Sequence, residues 1–316
     1  MCSDPQVSVV IPVWRASPEA PCWLDEALDS VRAQSFAGWE VIVVDDGSPV
    51  PVAPAIADDV VLVRERNTGP GGARNSGAAL ARGEFVAYLD SDDRWRPRKL
   101  ERQLALHRWR DDLVLSATDV VRFEDATVTG ESRTVPDAGA SYHEISFREL
   151  VRENCVPCSS AMCRRAALEK TVGMTPHRRI GEDYALWLRL ARFGPVARLG
   201  EVLLERRVHP GSLMQQHMRQ GSMAMLEREV YGELIAESPD LAHDPAVRAA
   251  LARIGFEEGW TMIQRREWAR ARRALLQSLQ LDLIQPKAWL NLVRASLRID
   301  APKPAKRSNA ETDQAS

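Results

Sequence analysis

Three acidic clusters carry the most chemistry in this 316-residue sequence. Asp90-Ser91-Asp92-Asp93 follows an apolar run, Asp45-Asp46-Gly47-Ser48 follows another, and Glu182-Asp183 opens a segment with helical apolar spacing. An Asp-x-Asp arrangement at a strand end can place oxygen ligands around a divalent cation that also holds phosphate oxygens. The chemistry implied is departure of a charged leaving group. Acidic turns and helix caps use the same residues, so each cluster taken alone also fits a solvated turn or a cap. Three acidic sites able to meet in one cleft strengthen the chemical reading.

The elements that must position them read as alternating strands and helices. Residues 7–11, 39–44, 60–63 and 85–89 are short β-branched or aromatic runs, which predict strands. Leu24, Leu28 and Val31 recur at helical spacing, residues 73–81 are rich in helix formers, and another helix begins near Pro97. This β-α repetition predicts an α/β fold, with a mainly parallel central sheet and helices on both faces. Open parallel sheets bind ligands beyond the carboxyl ends of their strands, where Asp45, Asp46, Asp90, Asp92 and Asp93 fall.

The pattern changes after residue 116. Residues 118–145 read as antiparallel strands or a hairpin, 146–153 as a helix, and 196–208 as two short strands. The helix opened by Glu182 carries Leu186, Leu190 and Phe193 near one face. From 218 onward Leu226, Val230 and Leu234, then Val247, Leu251 and Ile254, predict a helical appendage, continued by helices over 265–279 and 286–297. Three regions follow: 1–215, itself divided at about 115; helices over 216–299; and a flexible, polar tail over 300–316.

Forty-two Lys and Arg against 44 Asp and Glu give a net charge of −2, with no global case for a nucleic-acid partner. No apolar stretch is long enough to span a membrane, and the N-terminus lacks the pattern of a secretory signal, so a cytoplasmic protein is expected. Five cysteines are too few for a disulfide scaffold. Cys155-x-x-Cys158 has no second ligand pair at zinc spacing, and His107, His143, His177, His217 and His243 form no ligand cluster in the sequence. Gly69-Pro-Gly-Gly72 follows the third strand rather than the first and is a poor dinucleotide fingerprint.

In order along the chain, Val-Ser-Val-Val-Ile-Pro-Val, Val-Val-Asp-Asp-Gly-Ser, Asn67-Thr-Gly-Pro-Gly-Gly-Ala-Arg-Asn75, Phe85-Val-Ala-Tyr-Leu-Asp-Ser-Asp-Asp93 and Gly181-Glu-Asp-Tyr184 resemble the family 2 glycosyltransferases. These are inverting, nucleotide-sugar-dependent enzymes of the GT-A fold, and the resemblance covers roughly residues 5–210; it implies a nucleotide-sugar half over about 1–115 and an acceptor half over about 116–215. It implies that Asp46 accepts a hydrogen bond from the donor base, typically uracil, while Pro12 and Asp45 shape that pocket. It places Asp90 and Ser91 near the ribose or metal shell and makes Asp92 the ligand to Mn2+ or Mg2+ at the diphosphate. Arg74 would approach the base or diphosphate, Arg206 or Arg207 would compensate phosphate charge, and His209, in a mobile loop, would complete the metal shell.

The same resemblance makes Asp183 the general base, with Glu182 shaping the acceptor pocket; a carboxylate suits proton transfer accompanying attack. The partners implied are a nucleotide-diphosphate sugar, expected to be UDP-linked, and a glycan, lipid-linked or small-molecule hydroxyl acceptor. The sequence lacks the Gln-x-x-Arg-Trp signature of processive synthases, which favours transfer of one sugar. Arg15 stands where the family commonly has Asn. The rival reading is a catalytically weak carbohydrate-binding or assembly protein on the same fold, and an NAD-dependent oxidoreductase is a distant third. The nine tryptophans are expected mainly in packing. The C-terminal helices could form a homodimer surface or contact a membrane peripherally through the Arg-rich stretch 265–273, although a solvated face is the simpler reading of that stretch.

Overall fold

The computed structural model describes residues 4–18, 22–50, 52, 60–64, 66–124, 127–128, 141–209, 211 and 223–300. Part of the expected hairpin (129–140), most of the loop after His209 and nearly all of the tail lie outside these residues. The chain divides into two compact units, Met1–Leu241 and Ala242–Ser316.

The first unit is built on one mixed sheet. Strands β1 (Val7–Val13), β2 (Trp39–Asp45), β3 (Val60–Arg64) and β4 (Phe85–Tyr88) run parallel in the order β3-β2-β1-β4. Alternation along a strand sends neighbouring side chains to opposite faces. Val41 and Val43 of β2 therefore pack with Leu24, Leu28 and Val31 of helix α1 (Leu24–Arg32), while Ile42 and Val44 pack with Ala73 of α2 (Gly69–Leu80). Helices cover both faces, and the β-branched runs of β1 and β2 are buried because neither face meets water.

Helix α2 starts at Gly69, four residues before the helix-former signal, and takes the glycine-rich segment into its first turn. Pro70 fits there because N–H groups of a first turn have no helical acceptor. Gly77 allows α2 to lie close on the sheet: a Cβ there would sit 2.4 Å from Val10 Cγ1.

Beyond β4 the sheet continues through β9 (Met162–Arg164), β6 (Leu115–Glu124), β10 (Val196–Arg207) and β5 (Arg94–Trp95). Strand β9 is antiparallel to both β4 and β6, and β6 is parallel to β10. Strands β7 (Thr127–Val128) and β8 (Tyr142–Ile145) pair antiparallel on β6 and β10. The two short strands expected over 196–208 are one strand, with register shifts between Leu199 and Val202 and between Val202 and Leu204. Gly200-Glu201 falls inside that irregularity, which broke the apolar alternation without ending the pairing.

Helices α3 (Lys99–Trp109), α4 (Phe147–Arg152), α5 (Arg165–Leu168) and α6 (Glu182–Leu190) complete the cover. A reciprocal capping box between Ser146 and Glu149 starts α4. Helix α6 ends before Phe193, which is exposed, so the expected apolar face is one turn shorter. Helix α7 (Met223–Glu237), the first of the expected appendage, belongs to the first unit. It is fastened to α6 by the Tyr184 and Tyr231 hydroxyls (2.7 Å) and by Arg189 with Glu237 (2.6 Å).

The second unit contains α8 (Pro245–Gln264), α9 (Trp268–Leu281) and α10 (Pro286–Leu297) around Ile263, Ala271, Leu275, Leu279, Ala288 and Ala295. Among the described residues no helix is long and apolar enough to cross a membrane.

Candidate active site

Strand β4 delivers Asp90 to Asp93 at its carboxyl end, in a turn closed by the Asp93 N–H donating to the Asp90 carbonyl (3.1 Å). Asp90, Asp92 and Asp93 bring ligand oxygens within 4.8 Å of one another. The three are not equivalent. Asp93 is buried and fully engaged, accepting from the Arg207 N–H (2.9 Å) and the Ser159 hydroxyl (2.6 Å). Burial, with the Asp92 and Asp90 charges added, pushes its carboxyl well above the usual carboxylate range. Asp90 and Asp92 remain about one-third exposed, and Ser91 is half-buried between them. An all-oxygen set of this kind suits a hard cation such as Mn2+ or Mg2+, with Asp90 and Asp92 offering the accessible oxygens.

Ser159 braces this turn. Its hydroxyl donates to Asp93 and accepts from the Asp90 N–H (3.1 Å), while its carbonyl takes the Trp95 indole N–H (2.7 Å). No sequence signal pointed to it, because a serine in a short 3-10 turn (Cys158–Ser160) carries no spacing of its own.

The end of β10 closes the other side. His209 Nε2 lies 2.9 Å from Asp92 Oδ2, and its ring sits 4.8 Å from that of Trp23. Arg207 is buried between the Trp23 and Phe123 rings and donates to the Asp92 carbonyl (3.0 Å) and Glu26 (2.7 Å). Its guanidinium thus braces the acidic turn. Arg206, adjacent on β10, is half-buried opposite Arg122 of β6.

Arg74 of α2 joins the first and third acidic clusters. Its guanidinium donates to Asp90 and to Glu182 Oε1 (2.7 Å), and both Arg74 and Glu182 are buried. Arg74 Nε and Glu182 Oε2 are buried without a hydrogen-bond partner among the described residues. Gly181 (φ 79°) makes the left-handed entry that starts α6. Beside Glu182, Asp183 is half-buried, with Oδ1 accepting from the Tyr184 N–H (2.6 Å). Burial and the Glu182 charge raise its pKa to about 7 against the opposing pull of Arg74. Cys158 lies in the same charged surroundings, and burial pushes its thiol well above the usual range.

The second acidic cluster is turned to internal work. Asp45 accepts from the Ser48 N–H (2.9 Å) and shapes the turn after β2. Asp46 accepts from the Thr68 N–H (2.7 Å) and Gly69 N–H (2.9 Å), placing a carboxylate at the N-terminus of α2. Pro12 sits half-buried on neighbouring β1, paired with Val44. Hydrogen bonds therefore join Arg74 to Asp90 and Glu182, with Asp183 next to Glu182 in sequence, and join Arg207 and His209 to Asp92 of the same acidic turn; Pro12, Asp45 and Asp46 lie at the ends of β1 and β2.

Residues 8–172, more than half the chain, match the family described as Glycosyl transferase family 2. The chain belongs to this family. An uncharacterized glycosyltransferase of Nostoc sp. is 32% identical over 197 residues, covering 59% of this chain and 61% of that protein, so the match spans under two-thirds of that relative. The putative teichuronic acid biosynthesis glycosyltransferase TuaG of Bacillus subtilis is 28% identical over 217 residues, 66% of this chain and 81% of its own length. Among solved structures, residues 1–349 of S. aureus TarS in complex with UDP-GlcNAc superpose with a TM-score of 0.64 at 17% identity, covering 93% of this chain and 88% of that one. The last likeness concerns the fold. Two of the three acidic clusters, after β2 and after β4, lie at carboxyl ends of parallel strands, where open sheets of this kind bind ligands.

Proposed function

We propose that the chain transfers one sugar, with inversion, from a nucleotide-diphosphate sugar to an acceptor hydroxyl. The observation that carries this reading is the Arg74 guanidinium bonded to both Asp90 and Glu182, which ties the acidic turn after β4 to the start of α6. Asp90 and Asp92, with His209 beside Asp92, would hold Mn2+ or Mg2+. When bound, that ion would neutralise charge on the departing nucleotide diphosphate. The nucleoside would lie along the ends of β1 and β2, bounded by Pro12, Asp45 and Asp46, with Arg206 and Ser91 on the phosphate side.

Asp183 would accept the hydroxyl proton as the acceptor oxygen bonds to the anomeric carbon and the bond from that carbon to the diphosphate oxygen breaks. A pKa near 7 suits that role, because the group is substantially ionised at neutral pH and is still a competent base. Glu182, paired to Arg74, would hold the rim of the acceptor pocket. UDP is proposed as the nucleotide, and the acceptor as a glycan, a lipid-linked saccharide or a small hydroxyl compound; the B. subtilis relative, described as a putative teichuronic acid biosynthesis glycosyltransferase, favours the first two.

A donor panel scored by nucleotide release, with Asp183→Asn as the comparison, tests the proposal. The variant should retain metal-dependent nucleotide binding and lose about 100-fold or more in turnover. Unchanged turnover in Asp183→Asn would remove Asp183 from the base role.

A further inference from the structure

Helix α10 is apolar on two sides. Ala288, Asn291 and Ala295 are buried within the second unit, and yet Trp289, Leu290, Val293 and Leu297 are exposed, Leu297 at 66%. At about 100° per residue those four side chains fall within one arc of about 100°. Leu283 and Ile284 extend the surface from the preceding turn, with Ile284 at 88% exposure. The Trp289 indole N–H donates to the Leu283 carbonyl (3.0 Å), which fastens that turn to the helix.

Charge says what kind of surface fits. Between Asp282 and Asp300 the chain carries Lys287, Arg294 and Arg298 and no acidic residue. On the same helical projection Lys287 and Arg294 fall within about 20° of each other on one flank of the apolar arc, and Arg298 follows at the left-handed C-cap (φ 56°). An apolar stripe bearing tryptophan and edged by Lys and Arg matches a bilayer interface, where the stripe enters the acyl boundary and the cations meet anionic headgroups. Residues 301–316 contain no Leu, Ile, Val, Met, Phe, Tyr or Trp, and carry Lys303, Lys306 and Arg307 against Glu311 and Asp313.

We infer that the exposed face of α10 is a docking surface for an anionic lipid bilayer. The surface differs from the Arg-rich stretch 265–273, whose helix α9 instead supplies buried Ala271, Leu275 and Leu279 to the unit's core. The inference stands or falls separately from the transferase reading, because binding is measured without turnover.

Co-sedimentation of the full chain with phosphatidylcholine vesicles, with and without about 30% phosphatidylglycerol, tests it. Binding should be about tenfold or more stronger with the anionic lipid and should weaken as salt is raised. Leu290→Ser with Leu297→Ser should weaken it about 100-fold while leaving the circular dichroism spectrum unchanged, since both side chains are exposed. Lys287→Glu with Arg298→Glu should abolish the preference for anionic lipid. Absence of sedimentation with either vesicle, or equal sedimentation of the serine variant, overturns the inference. A chain that is dimeric by light scattering and becomes monomeric with the serine pair also overturns it, and assigns the face to a second copy.

Discussion

Replacing Ser159 with alanine removes one oxygen atom from a site that is 1% exposed, and that oxygen serves both ends of the acidic turn. The bond to Asp93, at 2.6 Å, is the shorter, and leaving a buried partner unsatisfied costs about 1–3 kcal/mol. The bond from the Asp90 N–H, at 3.1 Å, adds about 1 kcal/mol. With the site 1% exposed, the expected loss for the two bonds together is about 3 kcal/mol. For a unit of this size, about 2–4 °C of unfolding midpoint accompanies each kcal/mol, which predicts a fall of about 6–12 °C. Thermal unfolding followed by circular dichroism measures it, with urea unfolding as a second reading. Metal-dependent nucleotide stabilisation should weaken in the same variant, because the backbone carrying Asp90 and Asp92 is no longer braced. A midpoint within about 1 °C of the parent would refute the bracing argument, since two buried bonds cannot be lost at so small a difference.

Other measurements bear on the remaining groups. With Asp183 titrating at about 7, turnover should reach a plateau above about pH 8 and fall about tenfold per pH unit well below 7, because the protonated acid cannot accept the hydroxyl proton. Glu182→Gln removes a neighbouring negative charge that raises this pKa, so the acid limb should move to lower pH; an unmoved limb would dissociate it from Asp183. In Asp92→Asn, thermal stabilisation by UDP should lose the part that depends on Mn2+ and keep the part that survives EDTA. Lys99 is fully buried over the Trp95 ring (4.0 Å), and burial lowers its pKa to about 7. Between pH 7 and the ordinary lysine pKa the unfolded chain binds the extra proton, so stability should rise with pH across that window, and Lys99→Met should flatten the rise.

What the sequence by itself determined were the features set by local chemistry. The short β-branched or aromatic runs of β1, β2 and β4 read as strands, and the acidic residues after them therefore fell at the carboxyl edge of a parallel sheet. The helix starts at Ser146 and Glu182 were legible for the same reason, because a capping residue or a glycine turn acts within a few residues. Elements of two or three residues, β5 and β9, left no periodicity, since they exist only as partners of longer strands. The continuity of β10 was hidden by its bulge.

Only the tertiary structure decided how residues of the same type divide their labour. Asp90 and Asp92 keep accessible oxygens, whereas Asp93, next in sequence, is buried by Ser159 and Arg207 from segments 66 and 114 residues away. Asp46 caps α2, and Arg207 lies between two aromatic rings, bonded to the Asp92 carbonyl and Glu26. Arg74 and Glu182, 108 residues apart, meet because α2 and α6 present their first turns to one another. Such contacts depend on which side chains the closed chain brings within a few ångströms, and hydrogen bonding and burial, both short-ranged, then assign each charge its role.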